Sequence, residues 1–369
     1  MAILCCRKIG GEMNYQKLRP LLFLLPPETA HNLAILSMKL FPPTPVESDP
    51  RLATTFAGLN LPNPIGLAAG FDKNAEIPSA MLAAGFGFVE VGTVTPLPQP
   101  GNPSPRVFRL VEDEAIINRL GFNGRGMEYV VRKLADKPLG KEANNKSGML
   151  GVNIGANKNS PDRRADYIKG AKRFLPLCDY LTVNISSPNT KGLRDLQQGK
   201  ELESLLGGIL DERRRWHEES GRHVPVFVKL APDLDEESLG EALALILGSG
   251  ADGVVLTNTT VDRPYMLRAS DSQQVGGLSG RPLSVRSRVI LEQAAGILKG
   301  DLPIIAVGGV HDGQEVHDRL SMGAGAVQCY TSMVYRGPNA PALMARELCA
   351  ILDQSGQQSL GDIKKPWDA

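Results

Sequence analysis

The sequence predicts an α/β fold: a closed (β/α)8 TIM barrel with an N-terminal two-helix extension. Three observations carry that expectation. Eight short apolar runs recur along the chain, each ending in small or polar residues. Amphipathic helix patterns separate most of them, and strand alternating with helix implies a parallel sheet with right-handed crossovers. The 39 Gly and 27 Pro in 369 residues point to many short connections. Eight runs is the count that closes such a barrel, and an open doubly wound sheet is the alternative.

The elements follow in order. Residues 1–12 read as a leader, disordered or carrying a lipidation or metal site at Cys5–Cys6. Residues 13–45 read as a helical hairpin. Asn14 to Leu25 carries Leu18, Leu21, Leu22, Phe23, Leu24 and Leu25 with Lys17 and Arg19 opposite, and Pro26 and Pro27 stop it. Pro27-Glu28-Thr29 can open a second helix, ending before Pro42 and Pro43. Such a hairpin either packs on the main body or lies on a membrane surface.

Residues 46–369 hold the barrel. Its runs are Pro64–Ala68, Phe88–Val91, Met149–Val152, Tyr180–Val183, Val226–Leu230, Gly253–Leu256, Pro303–Val307 and Ala326–Cys329. Helix patterns begin near Ser160 and cover Leu202–His217, Glu236–Leu247, Glu292–Leu298 and Ala340–Leu352. The polar tail from Gln354 is expected to be surface or frayed.

Composition excludes several classes. With 42% hydrophobic residues and a net charge of +1 (41 Lys and Arg against 40 Asp and Glu), neither wholesale disorder nor a broad nucleic-acid surface is supported. Five cysteines without paired spacing argue against a disulfide framework and for a reducing compartment. The five histidines form no H-x-H or H-E-x-x-H, so no metal site is expected. The apolar run Leu21–Leu25 is far short of the ~20 residues of a spanning helix.

In a barrel all strand tips meet on one face, where active sites are built. Asn153, Asn184, Asn189 and Asn258 offer amides that donate and accept together, suited to a planar polar ring. Lys73 and Lys229 offer two cations. Gly280, Gly308, Gly309 and Thr331 fall where this fold usually binds phosphate. Asp72 and Asp233 are the only tip carboxylates, so glycosidase chemistry is poorly supported. No GxGxxG is present. The tips therefore suit a phosphate-bearing cofactor beside a small polar ring. A flavin-free barrel lyase or isomerase using Lys73 or Lys229 as a Schiff base is a second reading, and a barrel-derived binding protein a third.

Four strings then carry a resemblance: Gly66-Leu67-Ala68-Ala69-Gly70-Phe71-Asp72-Lys73, Asn118-Arg119-Leu120-Gly121-Phe122, Asn184-Ile185-Ser186-Ser187-Pro188-Asn189-Thr190 and Gly276-Gly277-Leu278-Ser279-Gly280-Arg281-Pro282-Leu283. They resemble dihydroorotate dehydrogenase, from about Met13 to about residue 350. Ser187, where class 1 members carry cysteine, and the N-terminal hairpin point to the quinone-dependent class 2. The family often has methionine where Leu120 stands, a swap that keeps the volume.

The resemblance implies FMN-dependent oxidation of (S)-dihydroorotate to orotate in UMP synthesis, with a membrane quinone as co-substrate and no metal. It implies FMN contacts at Ala69, Gly70, Phe71, Asp72, Lys73, Thr93, Asn153, Asn184, Lys229, Thr257, Gly280, Gly309, Tyr330 and Thr331. Substrate contacts would be Lys73, Asn118, Arg119, Leu120, Gly121, Phe122, Asn184, Asn189, Asn258 and Thr259. Ser187 would be the catalytic base, Thr190 its relay and Lys229 a stabiliser of charge at the flavin edge. The hairpin would give quinone access from the bilayer, with His31, Arg109 and Tyr330 along the path. A monomer, peripheral on the cytoplasmic face of a bacterial inner membrane, is also implied.

Overall fold

The computed structural model describes residues 15–136, 148–264 and 266–368; the leader with Cys5 and Cys6 lies outside them. The chain opens with α1 (Tyr15–Phe23) and α2 (Pro27–Leu40). Pro27 starts α2 where no amide partner is needed, and Glu28 sits in its first turn. Neither helix has a fully buried residue. Ile35 and Met38 touch the main core, whereas Leu21, Leu24, Leu36 and Leu40 are at least half exposed. Polar ties fasten the pair: Tyr15 OH donates to the Val334 carbonyl at 2.7 Å, and Arg106 pairs with Glu28 at 3.0 Å.

A hairpin follows, β1 (Thr54–Phe56) with β2 (Leu59–Leu61). Its turn, Ala57-Gly58, has both φ positive, as a two-residue hairpin turn requires. It brings Phe56 against the lower end of the barrel.

The barrel is a closed ring of eight parallel strands. In chain order these are β3 (Ile65–Leu67), β4 (Phe88–Val94), β7 (Met149–Ile154), β8 (Tyr180–Asn184), β9 (Val226–Leu230), β10 (Gly253–Leu256), β12 (Ile304–Val307) and β13 (Ala326–Cys329). Each of the eight apolar runs is one of these strands. The strands missing from that numbering, β5 (Val107–Leu110), β6 (Ala115–Asn118) and β11 (Gly277–Gly280), form a separate antiparallel sheet in the order β11-β6-β5. The sequence pattern did not foresee it, because its strands are insertions after β4 and β10 with mixed burial.

Side chains alternate along each strand, so every second residue points inward. The lower inward layer is aromatic: Phe88 lies 6.1 Å from Tyr180, Tyr180 lies 5.5 Å from Phe227, and Phe56 stacks on Phe227. Gly66 and Gly151 make room for it, since a Cβ there would come within 2.3 Å of the Phe88 ring and 2.0 Å of the Tyr180 ring. Two residues further along, the inward layer turns polar, with Glu90, Thr182, Lys229 and Gln328 all buried. Another step up lies the mouth.

The outer helices include α3 (Pro78–Ala83), α4 (Met127–Ala135), α5 (Arg163–Phe174), α6 (Gly199–Ser220), α7 (Glu236–Ser249), α8 (Ser284–Leu298), α9 (Gly313–Ser321), α10 (Thr331–Arg336) and α11 (Ala340–Ser355). The carboxylates of Asp162, Asp235 and Asp312 cap α5, α7 and α9. One expectation needs correction. α8 begins at Ser284 rather than Glu292, because the polar Ser-Val-Arg-Ser-Arg start hid the apolar period. Of the two alternatives for the tail, it is surface: most of it is exposed, but it is held down by Ile363 (3% exposed), by Lys365 donating to the Ala324 carbonyl at 2.8 Å, and by Trp367 packed against Gly323.

Candidate active site

A cavity of about 460 Å³ opens at the C-terminal end of the barrel strands. The antiparallel sheet walls one side of it through Ile116, Asn118, Ser279 and Gly280. Most of the residues expected there come together on its lining: Ala69, Gly70, Lys73, Thr93, Asn118, Leu120, Gly121, Phe122, Asn184, Ser187, Asn189, Lys229, Thr257, Asn258, Thr259, Gly280, Gly309, Tyr330 and Thr331.

Seven others sit off the lining, each for a physical reason. The Asp72 carboxylate accepts the backbone N–H groups of Glu76 and Ile77, both at 2.8 Å, and so shapes the loop that presents Lys73. Phe71 packs edge-on against both His31 (5.1 Å) and Tyr330 (5.6 Å). Arg119 turns outward, donating to Gln274 at 3.0 Å and lying 4.6 Å over Phe108. Asn153 lies one layer below, in the barrel interior. Thr190 is buried beside the Ser187 loop, and its hydroxyl has no hydrogen-bond partner among the described residues. Arg109 donates to the Phe23 carbonyl at 3.2 Å at the end of α1 and lies 4.5 Å over the Phe23 ring. His31 meets the mouth through the Phe71 ring.

The amides form a relay of hydrogen bonds that sets their orientation. Glu90 Oε1 accepts from Asn153 Nδ2 at 2.8 Å, Asn153 Oδ1 accepts from the Thr93 hydroxyl at 2.6 Å, and Thr93 Oγ1 accepts from Asn184 Nδ2 at 2.9 Å. Asn184 Oδ1 in turn accepts from Asn258 Nδ2 at 3.2 Å. Across the cavity Asn189 donates to Asn118 Oδ1 at 3.2 Å. The remaining oxygen of Glu90 accepts from Thr182 and Gln328 at 2.9 Å and Tyr180 at 3.3 Å. Glu90 and Gln328 escaped the sequence reading. The only signal was a lone carboxylate and a lone amide at inward positions of otherwise apolar runs.

Both lysines are held below their ordinary range. Burial brings the Lys73 ammonium down to about 8, with Arg106 lowering it further and Glu28 and Asp72 opposing. Burial also lowers Lys229, against the pull of Glu90. Each is a desolvated cation at the cavity wall, where an anionic group would be held far more strongly than in water.

The glycine turn fits a phosphate. Gly309 has φ +77°, and a Cβ there would lie 2.4 Å from the Ser284 Cα at the start of α8. Gly280 has φ +95°, and its Cβ would meet the Glu114 carbonyl at 2.3 Å. Bare backbone N–H groups at a helix start suit an anion. Arg319, fully buried, braces the turn from behind by donating to the Gly308 carbonyl and the Ser287 hydroxyl at 2.8 Å. Two buried lining atoms, Gln328 Oε1 and Ser332 Oγ, have no protein partner among the described residues, as polar contacts kept for a ligand would.

The chain is therefore a barrel enzyme whose mouth pairs a phosphate turn with an amide-lined pocket for a polar ring. The comparisons narrow that class. A family model described as dihydroorotate dehydrogenase matches residues 51–352. The chain is 47% identical over 348 residues to the dihydroorotate dehydrogenase (quinone) of Allorhizobium ampelinum, covering 94% of each. It is 49% identical over 341 residues to that of Rhizobium etli, covering 92% of each. The crystal structure of DHODH from Eimeria tenella in complex with ferulenol superposes with a TM-score of 0.88 at 41% identity, covering 92% of this chain and 95% of that one. The chain belongs to the dihydroorotate dehydrogenase family.

Proposed function

We propose that this chain oxidises (S)-dihydroorotate to orotate in pyrimidine biosynthesis and delivers the electrons to a membrane quinone. One observation carries the reading: Ser187, four asparagines and Lys73 share the lining of a single cavity with the Gly309 turn. That is room for a small anionic ring beside a phosphate-bearing cofactor. FMN, held by Gly70, Thr93, Asn184, Lys229, Thr257, Gly280, Gly309 and Thr331, would supply a hydride acceptor that a quinone can re-oxidise.

The residues then divide the work. Asn118, Asn189 and Asn258 present fixed donors and acceptors to the ring amides, their orientations set by the chain that starts at Glu90. Lys73 neutralises the substrate's carboxylate. Ser187 takes the proton from the carbon next to the ring carbonyl. A hydroxyl is a weak base and needs a relay in a site shielded from water. Ser187 is 6% exposed, and the Thr190 hydroxyl, buried and unpartnered among the described residues, stands three residues on to pass the proton outward. Lys229 holds positive charge at the polar inner layer, where charge transferred from the substrate would collect.

Quinone would enter between α1 and α2. The exposed leucines of the hairpin form an apolar surface that suits a bilayer interface. The contact in this reading is peripheral, on the cytoplasmic face; no helix among the described residues is long and apolar enough to cross a membrane. The edge-on series His31, Phe71, Tyr330 leads from α2 to the cavity. Burial lowers His31 to about 3, leaving a neutral ring suited to an uncharged quinone.

The test is a visible spectrum of the purified, FMN-loaded protein under anaerobic dihydroorotate. Bleaching that recovers on adding a quinone is the expected result. Replacement of Ser187 by Ala should slow bleaching by about 10²-fold or more with FMN content unchanged. A yellow protein that dihydroorotate does not bleach would refute the substrate.

A further inference from the structure

The mouth loops after β8 and β10 carry Ser187 and Asn258, and one side chain outside the cavity ties both of them to the loop after β9. Arg194 lies in the loop after β8, seven residues beyond Ser187. Its Nε donates to the Ser186 carbonyl at 3.1 Å, one Nη to Asp233 Oδ2 at 2.8 Å, and the other Nη to the Thr259 carbonyl at 3.2 Å. Ser186 precedes Ser187, and Thr259 follows Asn258. Asp233, on the loop after β9, is 13% exposed at its side chain and ties the same region again: it accepts from the Thr260 hydroxyl and from the Val261 N–H at 3.2 Å. Gln197, 1% exposed, adds a parallel strut by accepting from the Ala231 N–H at 2.8 Å.

We propose that Arg194 is a positioning residue for the reaction: its guanidinium, anchored by Asp233, holds the Ser187 loop and the Asn258–Thr259 loop in register across the substrate pocket. The planar fork is what allows it, since three acceptors in three directions need donors of fixed geometry. A lysine could keep the ion pair but not both carbonyls. Arg194 itself is absent from the cavity lining, so it acts through Ser187 and Asn258 rather than on the substrate. A misplacement of ~1 Å at a proton-transfer centre can cost about 10²-fold in rate, which is the size of effect expected.

The inference rests on the dihydroorotate reading for its kinetic consequence but not for its structural one, and the test separates them. Hydrogen exchange is measured on the FMN-loaded parent, Arg194→Gln, Arg194→Lys and Asp233→Asn proteins, alongside anaerobic bleaching by dihydroorotate. In Arg194→Gln the amides of segments 185–198 and 257–264 should exchange about 10-fold faster, with the rest of the barrel and the melting temperature unchanged. Bleaching should slow by about 10²-fold, and Arg194→Lys should recover part of both effects. Unchanged exchange in either segment overturns the clamp. Loosening spread through the whole barrel overturns it too, because it marks a general structural role. If the parent is not bleached at all, the substrate reading fails and exchange alone decides the clamp.

Discussion

Glu90→Gln should both destabilise the barrel and shift its working pH. The carboxylate receives four donors, one on Oε1 from Asn153 and three on Oε2 from Thr182, Gln328 and Tyr180. An amide offers one acceptor oxygen, so its NH2 must face at least one of those donors. With the oxygen toward the group of three, the Asn153 bond is lost. Turning Asn153 to meet the new NH2 breaks its 2.6 Å bond with Thr93 and carries the fault up to Asn184. A hydrogen bond to a charged acceptor contributes ~1.5–3 kcal/mol, and the three survivors weaken once the charge is gone, so the loss should be about 2–4 kcal/mol. At roughly 2.1 cal/mol/K of unfolding entropy per residue over about 350 residues, the melting temperature falls by about 3–6 °C. Glu90 is also the group that supports protonation of buried Lys229. Without it the folded-state pKa of Lys229 drops further, so the alkaline limb of dihydroorotate-driven bleaching should move to lower pH. Thermal melts of the loaded protein and a pH series of bleaching rates measure both. A variant that melts with the parent and keeps its alkaline limb would refute the role assigned to this carboxylate.

Other perturbations have equally direct readouts. Gly309→Ala combines a positive φ with a Cβ 2.4 Å from the Ser284 backbone, so the turn must shift; the purified protein should lose most of its FMN, scored by absorbance per chain. His31, lowered to about 3 against 6.5 unfolded, contributes fully above pH 6.5 and loses that contribution as pH falls from 6.5 toward 3. The slope is at most ~1.4 kcal/mol per pH unit, and less here because part of the ring meets solvent. His31→Gln should therefore lose less melting temperature than the parent between pH 7.5 and 5. Leu21 and Leu24 are 63% and 81% exposed, so the double replacement by Glu should abolish binding to lipid vesicles and slow quinone reduction while leaving bleaching by dihydroorotate intact. Vesicle co-sedimentation equal to the parent's would remove the hairpin as the membrane contact.

Much of this protein was determined by its sequence alone. The eight barrel strands are legible because a parallel strand buried on both faces must be a short, nearly continuous apolar run, and such runs are conspicuous between polar helices. Their polar tips gather at one mouth because all strands of the barrel point the same way, which is why most of the candidate site is legible in the sequence. Only the tertiary structure decided the rest. In the antiparallel sheet β11 pairs with β6 across about 160 positions, as Ser279 with Ile116, and no local period announces such a partner. Asp72 and Asp233 look alike as carboxylates at strand tips, yet each is engaged by backbone amides or by Arg194 rather than facing the cavity. Glu90 and Gln328 occupy positions where an apolar residue would have fitted the pattern equally well. Their importance comes from low-dielectric burial, where an uncompensated polar group is costly, so one carboxylate dictates how a column of amides must point. A run of residues can say which way a side chain faces; what that side chain meets is decided by distant parts of the chain.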